Sequence, residues 1–350
     1  MSRVSSSLAR PFGDRGFPGT VGDPTAPDLT GCSSGYGGLV DLEVKREVDE
    51  EDRRAINALL ATAASADGHH ALSDHAWLDL VDGGRPGFAA LVAYERGHAH
   101  PVAYAQLSRA DSANNWSIDL VIHPHHRYDS EEIGRTLLQR AVDVLAAEGG
   151  GHVHFWVSHP SAAHDRLAAA VGLHKGRDLL QMRVTLPLDQ RTDVSTRAFV
   201  VDHDEGAWID VNNRAFDWHP EQGGWTLATL ARREKEPWFD PAGFLLHERE
   251  GRLAAFCWTK LHPAGTHDPA MGEIYVIAVN PDFQGLGLGR ALTVAGLASI
   301  AERGVATGML YVDATNDGAV ALYTKLGFTV DHINRAYAAD IAPALAIAPT

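Results

Sequence analysis

The segment Gln284–Gly289 (QGLGLG) has the residue types and spacing of a loop that holds an anionic group. It follows an apolar run that ends at Val279 and the turn Asn280-Pro281, and it leads into a run with helical periodicity. Glycines let the backbone approach a ligand closely, and successive N–H groups at a helix N-terminus form an anion-binding concavity. Such a loop can hold a pyrophosphate without a cluster of basic side chains. That suits a chain whose formal net charge is −15.

Two better-known glycine loops do not match this segment. A dinucleotide-binding turn would need a further glycine at one of two positions, where Arg290 and Thr293 stand instead. A P-loop would need Gly-Lys followed by Ser or Thr, which is missing here. A glycine-rich connection that binds nothing remains the structural alternative.

A second segment lies downstream of the glycine loop. Asn316-Asp317-Gly318-Ala319 opens a predicted helix that carries Tyr323 and ends at Leu326-Gly327-Phe328. Together, the two segments resemble the cofactor loop and the Asn–Tyr–Gly-Phe region of the GNAT N-acetyltransferases. The resemblance implies acetyl-CoA as co-substrate and no metal. It implies cofactor contacts at Ile277, Ala278, Val279, Gln284, Gly285, Leu286, Gly287, Leu288, Gly289, Arg290, Asn316, Asp317, Gly318, Ala319, Val320 and Ala321, and at Leu120, Val121 and Ile122 in the first half.

Acetylation of an amine needs a neutral amine, a polarised thioester carbonyl and a proton for the leaving thiolate. Glu273 begins the strand before the glycine loop, and we predict it to be the general base, acting directly or through water. Tyr323 is the predicted general acid for the thiolate. Each such proton transfer contributes about 10²–10⁴-fold in rate. The structural alternatives are a solvated Glu beside a strand and a Tyr in the core.

The elements around these residues occur twice in the same order along the chain. Ile122-His123-Pro124 corresponds to Val279-Asn280-Pro281, and Ala170–Leu173 corresponds to Lys325–Phe328. We therefore predict two tandem α/β GNAT domains, over 39–187 and 195–342, each with a mixed, mostly antiparallel sheet flanked by helices. Residues 1–38 are rich in Gly, Ser and Pro and are predicted to be a disordered tail.

Longer stretches resemble the mycothiol synthases, a family of tandem GNAT enzymes. They are VNNRAF (211–216), HPEQGGW (219–225), WFDP (238–241), WTK (258–260) with His262-Pro263, GEIYV (272–276) and LYV (310–312). The resemblance implies acetylation of the cysteinyl amine of Cys-GlcN-inositol, the last step of mycothiol synthesis. It implies substrate contacts at Asp74, Glu221, Lys260, Glu273 and Tyr311. An acceptor with an amine and many hydroxyls suits carboxylates, a Lys and a Tyr hydroxyl.

The sequence departs from this family at both cofactor loops. Gly285 and Leu286 stand where the family usually carries arginines. The equivalent loop of the first half reads HHRYDSEEIGR, with Gly134 as its one glycine and three acidic residues. Carboxylates beside a pyrophosphate are unfavourable. We therefore predict that the first domain binds acetyl-CoA weakly or not at all, and serves as a scaffold and a wall of the acceptor site.

The composition of the chain narrows the possible partners and the expected location of the protein. The negative net charge disfavours nucleic acid and anionic membranes as partners. Cys32 and Cys257 are too few for a disulfide framework, and His219 is predicted to be structural. With no apolar run of transmembrane length and no secretory h-region, we expect a soluble, monomeric, cytoplasmic protein. Two alternatives remain: a tandem GNAT that acetylates another small amine or an antibiotic, and a non-enzymatic acyl-CoA sensor.

Overall fold

The computed structural model describes residues 40–67, 71–96, 100–109, 114–217, 223–265 and 269–344, with the side chains of 74 and 75 left undescribed. The predicted tail, residues 1–38, therefore lies outside the described residues, as do His219 and Glu221. The described chain divides into two compact units. The C-terminal unit holds 158–160 and 176–335, and the N-terminal unit holds 40–157, 161–175 and 336–344. The domain limits drawn from the sequence remain predictions.

The N-terminal unit is a sheet with helices on both faces. Its strands lie in the order β1-β2-β3-β4-β5, antiparallel except for the parallel pair β4 and β5. One face packs on α3 and the other on α1 and α2. The elements are β1 (Val40–Lys45), α1 (Glu50–Asp67), α2 (Asp74–Val81), β2 (Phe88–Glu95), β3 (Pro101–Arg109), β4 (Asn115–Ile122), a 3-10 helix (Pro124–Asp129), α3 (Ser130–Ala147), β5 (Gly151–Ser158) and α4 (Ala162–Ala170).

The C-terminal unit repeats this order of elements. Its strands lie in the order β6-β11-β10-β9-β8-β7, and β10 and β11 are parallel. The elements are β6 (His174–Thr185), β7 (Arg197–Ala198), α5 (Glu205–Ala215), α6 (Leu227–Glu234), β8 (Phe244–Arg249), β9 (Arg252–His262), β10 (Met271–Val279), α7 (Leu288–Glu302), β11 (Thr307–Asp313), α8 (Asp317–Lys325) and β12 (Thr329–Ile341). The predicted α/β class, with a mixed sheet flanked by helices, is confirmed.

β10 is buried on both faces, which explains its nearly unbroken apolar sequence. On one face, Ile274 and Ile277 join the core beneath α7 and α8. On the other face, Tyr275 and Val276 join an aromatic core with Trp258. One face of this strand therefore meets a mostly aliphatic core, and the other meets a core rich in aromatic rings.

β12 is divided between the two units. Residues up to Arg335 belong to the C-terminal unit, and those from Ala336 onward belong to the N-terminal unit. Tyr337 is buried in the N-terminal core, and its hydroxyl lies 2.8 Å from Asp165 Oδ1. The N-terminal unit is thus assembled from segments that are distant in the sequence.

β7 is a very short strand next to β8 and comprises only Arg197 and Ala198. The N–H of Val200 donates to Asp204 Oδ2 over 2.8 Å, and Arg197 pairs with the same carboxylate. These bonds turn the chain toward α5 and remove Val200 from the sheet ladder.

Candidate active site

Glu273 lies in the middle of the C-terminal sheet and is fully buried. It stands opposite Lys260 on β9 and beside Met309 on β11. The residues on either side of it in β10, Gly272 and Ile274, both face α7. Because side chains alternate along a strand, the Glu273 carboxylate points to the opposite, aromatic face of the sheet.

His262, the last residue of β9, is hydrogen-bonded to this carboxylate. Its Nε2 lies 2.7 Å from Glu273 Oε2. The side chain of Glu273 is 1% exposed and that of His262 is 19% exposed. The second carboxylate oxygen, Oε1, is buried and has no hydrogen-bond partner among the described residues. One oxygen is therefore anchored by His262, and the other is buried without a partner among the described residues.

Lys260 is buried beside Glu273 against aromatic rings. Its Nζ lies 4.7 Å from the centre of the Trp238 ring and 5.6 Å from that of Tyr275. The negative face of an aromatic ring stabilises a cation by cation–π attraction, which is stronger where water is excluded. The aromatic core thus holds a buried ammonium next to a buried carboxylate.

Tyr311 lies on the same face as Glu273, because Met309 pairs with Glu273 and Tyr311 follows Met309 by two residues along β11. The register places Gln181 of β6 opposite Tyr311. Gln181 Nε2 donates to the Tyr311 hydroxyl oxygen over 2.8 Å, and Arg183 Nε donates to Gln181 Oε1 over 2.8 Å. Tyr311 is therefore held by a line of hydrogen bonds that starts at a guanidinium.

The ladder between β10 and β11 is short. It joins Gly272 to Gly308 and Glu273 to Met309, although β10 continues to Val279 and β11 to Asp313. On its other side, β10 has an irregular register with β9 between Ile274 and Val276. The end of β10 next to the glycine loop therefore lies outside the β11 ladder.

The glycine loop has the backbone shape of an anion-binding turn. Gly285 has φ +81° and Gly287 has φ +74°, and a Cβ added to either would meet nothing within 4 Å. Gly287 caps α7, whose first backbone bond runs from Ala291 N to Gly287 O. The N–H groups of the first turn, residues 288–290, have no acceptor within the helix. The exposed loop therefore presents N–H donors to open space.

Asn316 and Tyr323 belong to α8. Asn316 caps this helix by accepting from Ala319 N with Oδ1. Its Nδ2 is buried and has no hydrogen-bond partner among the described residues. Tyr323 is fully buried in the core under α7 and α8, where its ring packs against Phe328 at 5.7 Å between centres.

Comparison with known proteins identifies the family. A model of the acetyltransferase (GNAT) family matches residues 212–328. The mycothiol acetyltransferase of Thermobispora bispora is 43% identical over 296 residues, covering 82% of this chain and 97% of the relative. That of Streptomyces coelicolor is 40% identical over 302 residues, covering 85% and 94%. This chain belongs to the mycothiol acetyltransferase family. It is an acetyltransferase, and the predicted family is confirmed.

Solved structures agree with the tandem fold of this mycothiol acetyltransferase family member. A GCN5-related N-acetyltransferase from Sphaerobacter thermophilus superposes with a TM-score of 0.63 at 23% identity, covering 88% of this chain and 98% of that one. A tandem GNAT protein from the clavulanic acid biosynthesis pathway gives a TM-score of 0.62 at 17% identity, covering 87% and 100%. At these identities, the likeness concerns the fold alone.

The N-terminal unit of this family member has a different loop at the position equivalent to the glycine loop. β4 and β5 pair only from Asn115 to Ile118, so the strand end that includes Leu120, Val121 and Ile122 again lies outside the parallel ladder. The loop that follows is a 3-10 helix, and every residue of the described stretch 123–135 has negative φ. The Glu131 carboxylate, in the first turn of α3, pairs with Arg166 at 3.0 Å.

Beside that strand end, the half-buried carboxylate of Asp119 accepts hydrogen bonds from Ser73 N at 3.1 Å and Ser73 Oγ at 3.2 Å. Burial raises its pKa to about 6, although the two bonds from Ser73 act in the opposite direction. Ser73 is also the N-cap of α2. Asp119 thus ties the start of α2 to the sheet.

The structure brings three predicted substrate residues of this acetyltransferase, Lys260, Glu273 and Tyr311, to one face of the C-terminal sheet. Asp74 begins α2, but its side chain is not described, and Glu221 lies outside the described residues.

Within the described part of the chain, no group of three His, Cys, Asp or Glu residues could hold a metal ion. Nor does any described helix have the length and apolar character to cross a membrane.

Three residues of this site did not emerge as functional from the sequence: His262, Gln181 and Arg183. His262 follows Lys260 by two positions on β9, so strand periodicity places both on one face. This two-residue spacing is visible in the sequence and could have placed His262 beside the predicted substrate residue Lys260. Gln181 precedes Tyr311 by 130 residues, and only the strand register brings the two together.

Proposed function

We propose that this chain moves the acetyl group of acetyl-CoA to the cysteinyl amine of Cys-GlcN-inositol, giving mycothiol and CoA. The observation that carries the proposal is the buried Glu273 carboxylate, with one oxygen anchored by His262 and the other available beside Lys260. A base and a cation on one protected face suit an acceptor that brings both an amine and hydroxyl groups. The relatives of this chain are named mycothiol acetyltransferases.

Two features fit acetyl-CoA. The glycine loop offers backbone donors to a pyrophosphate, and side chains at Gly285 and Gly287 would intrude on that space. The buried Nδ2 of Asn316 is a donor in need of an acceptor, which the amide-containing arm of the cofactor has. In this proposal the cofactor contacts are residues 277–279, 284–290 and 316–321. Bound acetyl-CoA supplies an activated acetyl thioester and a thiolate leaving group.

Glu273 acts as the general base. Its Oε1 accepts a proton from the acceptor ammonium, directly or through one water, so that the amine lone pair can attack the thioester carbonyl. Burial keeps this carboxylate out of bulk water, and the bond from His262 fixes its orientation. A backbone N–H at the end of β10, within residues 277–279 where the β11 ladder has stopped, serves to polarise the carbonyl oxygen.

Tyr323 acts as the general acid. Its hydroxyl gives a proton to the leaving sulfur as the carbon–sulfur bond breaks. Tyr323 lies in the core next to α7, the helix that the glycine loop caps, so it is on the cofactor side of the sheet. Glu273 faces the opposite side, and the proposed acid and base thus approach the reacting centre from different faces.

The acceptor is tested by supplying acetyl-CoA with Cys-GlcN-inositol and a panel of other amines, and following products by mass spectrometry. Direct detection is needed because the acceptor carries a thiol that confounds thiol-trapping assays. Acetylated Cys-GlcN-inositol as the main product is the expected result. Turnover of another amine without that product would overturn the proposed acceptor.

The base is tested by Glu273→Gln, which should lower kcat by at least about 100-fold because one proton transfer is lost. Glu302→Gln is the matched control, since Glu302 is an exposed carboxylate at the end of α7 in the same unit. Unchanged turnover in Glu273→Gln would remove Glu273 as the base.

A further inference from the structure

We propose that His262 is a positioning residue for the reaction, which holds the Glu273 carboxylate so that Oε1 faces the acceptor amine. The inference rests on the proposed role of Glu273 as the base. His262 itself does not take part in bond making. It acts through the single hydrogen bond between its Nε2 and Glu273 Oε2.

The donor in this bond is His262. An ionised carboxylate only accepts hydrogen bonds, so the imidazole tautomer that satisfies the 2.7 Å contact carries its proton on Nε2. The bond is diagonal across the sheet. His262 stands opposite Met271, and Glu273 lies two residues further along β10, opposite Lys260. Both side chains reach along the same face to make it.

The bond matters because Glu273 is so deeply buried. Its side chain is 1% exposed, and burial of a polar group is costly unless the group is hydrogen-bonded. Among the described residues, His262 is the hydrogen-bond partner of this carboxylate. A side chain of similar size without a donor would leave both oxygens of Glu273 without a hydrogen-bond partner among the described residues, and the carboxylate would lose its fixed orientation.

A pair of substitutions isolates the donor. His262→Gln keeps an N–H at the end of a flexible side chain, whereas His262→Met has nearly the same length and volume and no donor. We expect the Met variant to lose about 30-fold in kcat and the Gln variant to stay within about 5-fold of wild type, as expected for a bond to a catalytic group. The KM for acetyl-CoA should be unchanged in both, since the cofactor residues are untouched.

A purely structural role would give a different pattern. Met and Gln would then affect thermal stability alike and leave kcat alike, and that result would overturn the inference. If the Met variant does not fold, the Gln variant still tests the inference against His262→Asn, whose shorter amide cannot reach Oε2. Equal kcat in Gln and Asn would overturn it.

A double-mutant cycle separates this inference from the proposed function. In the Glu273→Gln background, His262→Met should lower kcat by less than about 3-fold, because the group it positions is gone. Glu273→Gln with unchanged turnover contradicts the proposed base. An inactive Glu273→Gln combined with a fully active His262→Met keeps the base and contradicts the role of His262.

Discussion

Gln181 donates a hydrogen bond from Nε2 to the hydroxyl oxygen of Tyr311 over 2.8 Å, and its own carbonyl oxygen accepts from Arg183. The direction of these bonds is fixed, because a guanidinium only donates. The amide of Gln181 is therefore oriented by Arg183, and it orients the phenol in turn. Gln181 itself is 4% exposed, so bulk water does not compete for its amide.

Gln181→Met tests the line of hydrogen bonds from Arg183 through Gln181 to Tyr311. Gln181→Met keeps the volume and removes the donor, so Tyr311 loses its orientation. We expect the KM for the acceptor to rise about 5–10-fold, as for the loss of one or two neutral hydrogen bonds, with kcat within about 2-fold. Steady-state kinetics with varied acceptor checks this. Tyr311→Phe should give the same change, and the double variant should be no worse. Additive effects would show that the two residues act separately.

The second prediction concerns the glycine loop. Gly287→Ala forces a side chain into a left-handed conformation, at a cost of about 1–2 kcal/mol, and into the space assigned to the pyrophosphate. The Kd for acetyl-CoA should rise at least about 10-fold in calorimetry. Gly304→Ala is the matched control, with φ +79° and equally open surroundings after the far end of α7. It should lose similar stability and keep cofactor affinity. An equal loss of acetyl-CoA affinity in Gly287→Ala and Gly304→Ala would contradict the prediction, because general loss of stability would then explain it.

The third prediction concerns stoichiometry. The N-terminal loop has no left-handed residue in its described stretch 123–135, and the first turn of the helix that follows carries Glu131 and Glu132. We therefore expect one acetyl-CoA per chain in calorimetry, and no high-affinity binding in Gly287→Ala. Two equivalent sites per chain would contradict this.

The fourth prediction concerns pH. The folded pKa of Asp119, about 6, exceeds the unfolded value of 3.8, so folding favours the protonated carboxyl. The stability it contributes is full below pH 3.8 and is lost as pH rises through 6. Relative to wild type, Asp119→Asn should gain in free energy of unfolding between about pH 4 and about pH 7, a range that covers both pKa values of this carboxyl.

Urea unfolding at the two pH values measures the effect. Asp82→Asn removes an exposed carboxylate after α2 and serves as the charge control. A wild-type-like pH dependence in Asp119→Asn would show that the carboxyl does not titrate in this window.

The fifth prediction concerns packing under α7. A Cβ added to Gly296 would lie 2.5 Å from Cys257 Sγ and 2.8 Å from Ile274 Cδ1. Gly296→Ala should therefore cost about 1–3 kcal/mol by overpacking, and Cys257→Ala should restore part of that loss. Gly206→Ala, in α5 with nothing within 4 Å, should be neutral or stabilising. Denaturant unfolding compares the three, and no rescue by Cys257→Ala would contradict the contact.

The sequence was sufficient for features that depend on local order. The apolar run that ends at Val279 predicts β10, and the glycines at 285 and 287 predict a loop, in which both have left-handed φ. Asn316 was predicted to open a helix, and it caps α8. Each of these follows from residues within one turn or one strand.

The rest depends on register between strands. The contact of His262 with Glu273 is diagonal across β9 and β10, and a shift of one residue would move one of them to the other face. The line from Arg183 through Gln181 to Tyr311 joins β6 to β11. Periodicity gives the face of each residue but not its partner. Such partners are set by tertiary structure, and one sequence does not specify them.

The division of β12 has a consequence for biosynthesis. Tyr337 sits in the core of the N-terminal unit and bonds Asp165, and Asp340 lies 2.8 Å from His152 Nδ1. On a translating ribosome, residues 40–175 emerge long before these partners exist. The N-terminal unit must therefore wait, with part of its core open, until the last strand has left the exit tunnel, so the half of the chain made first is completed last.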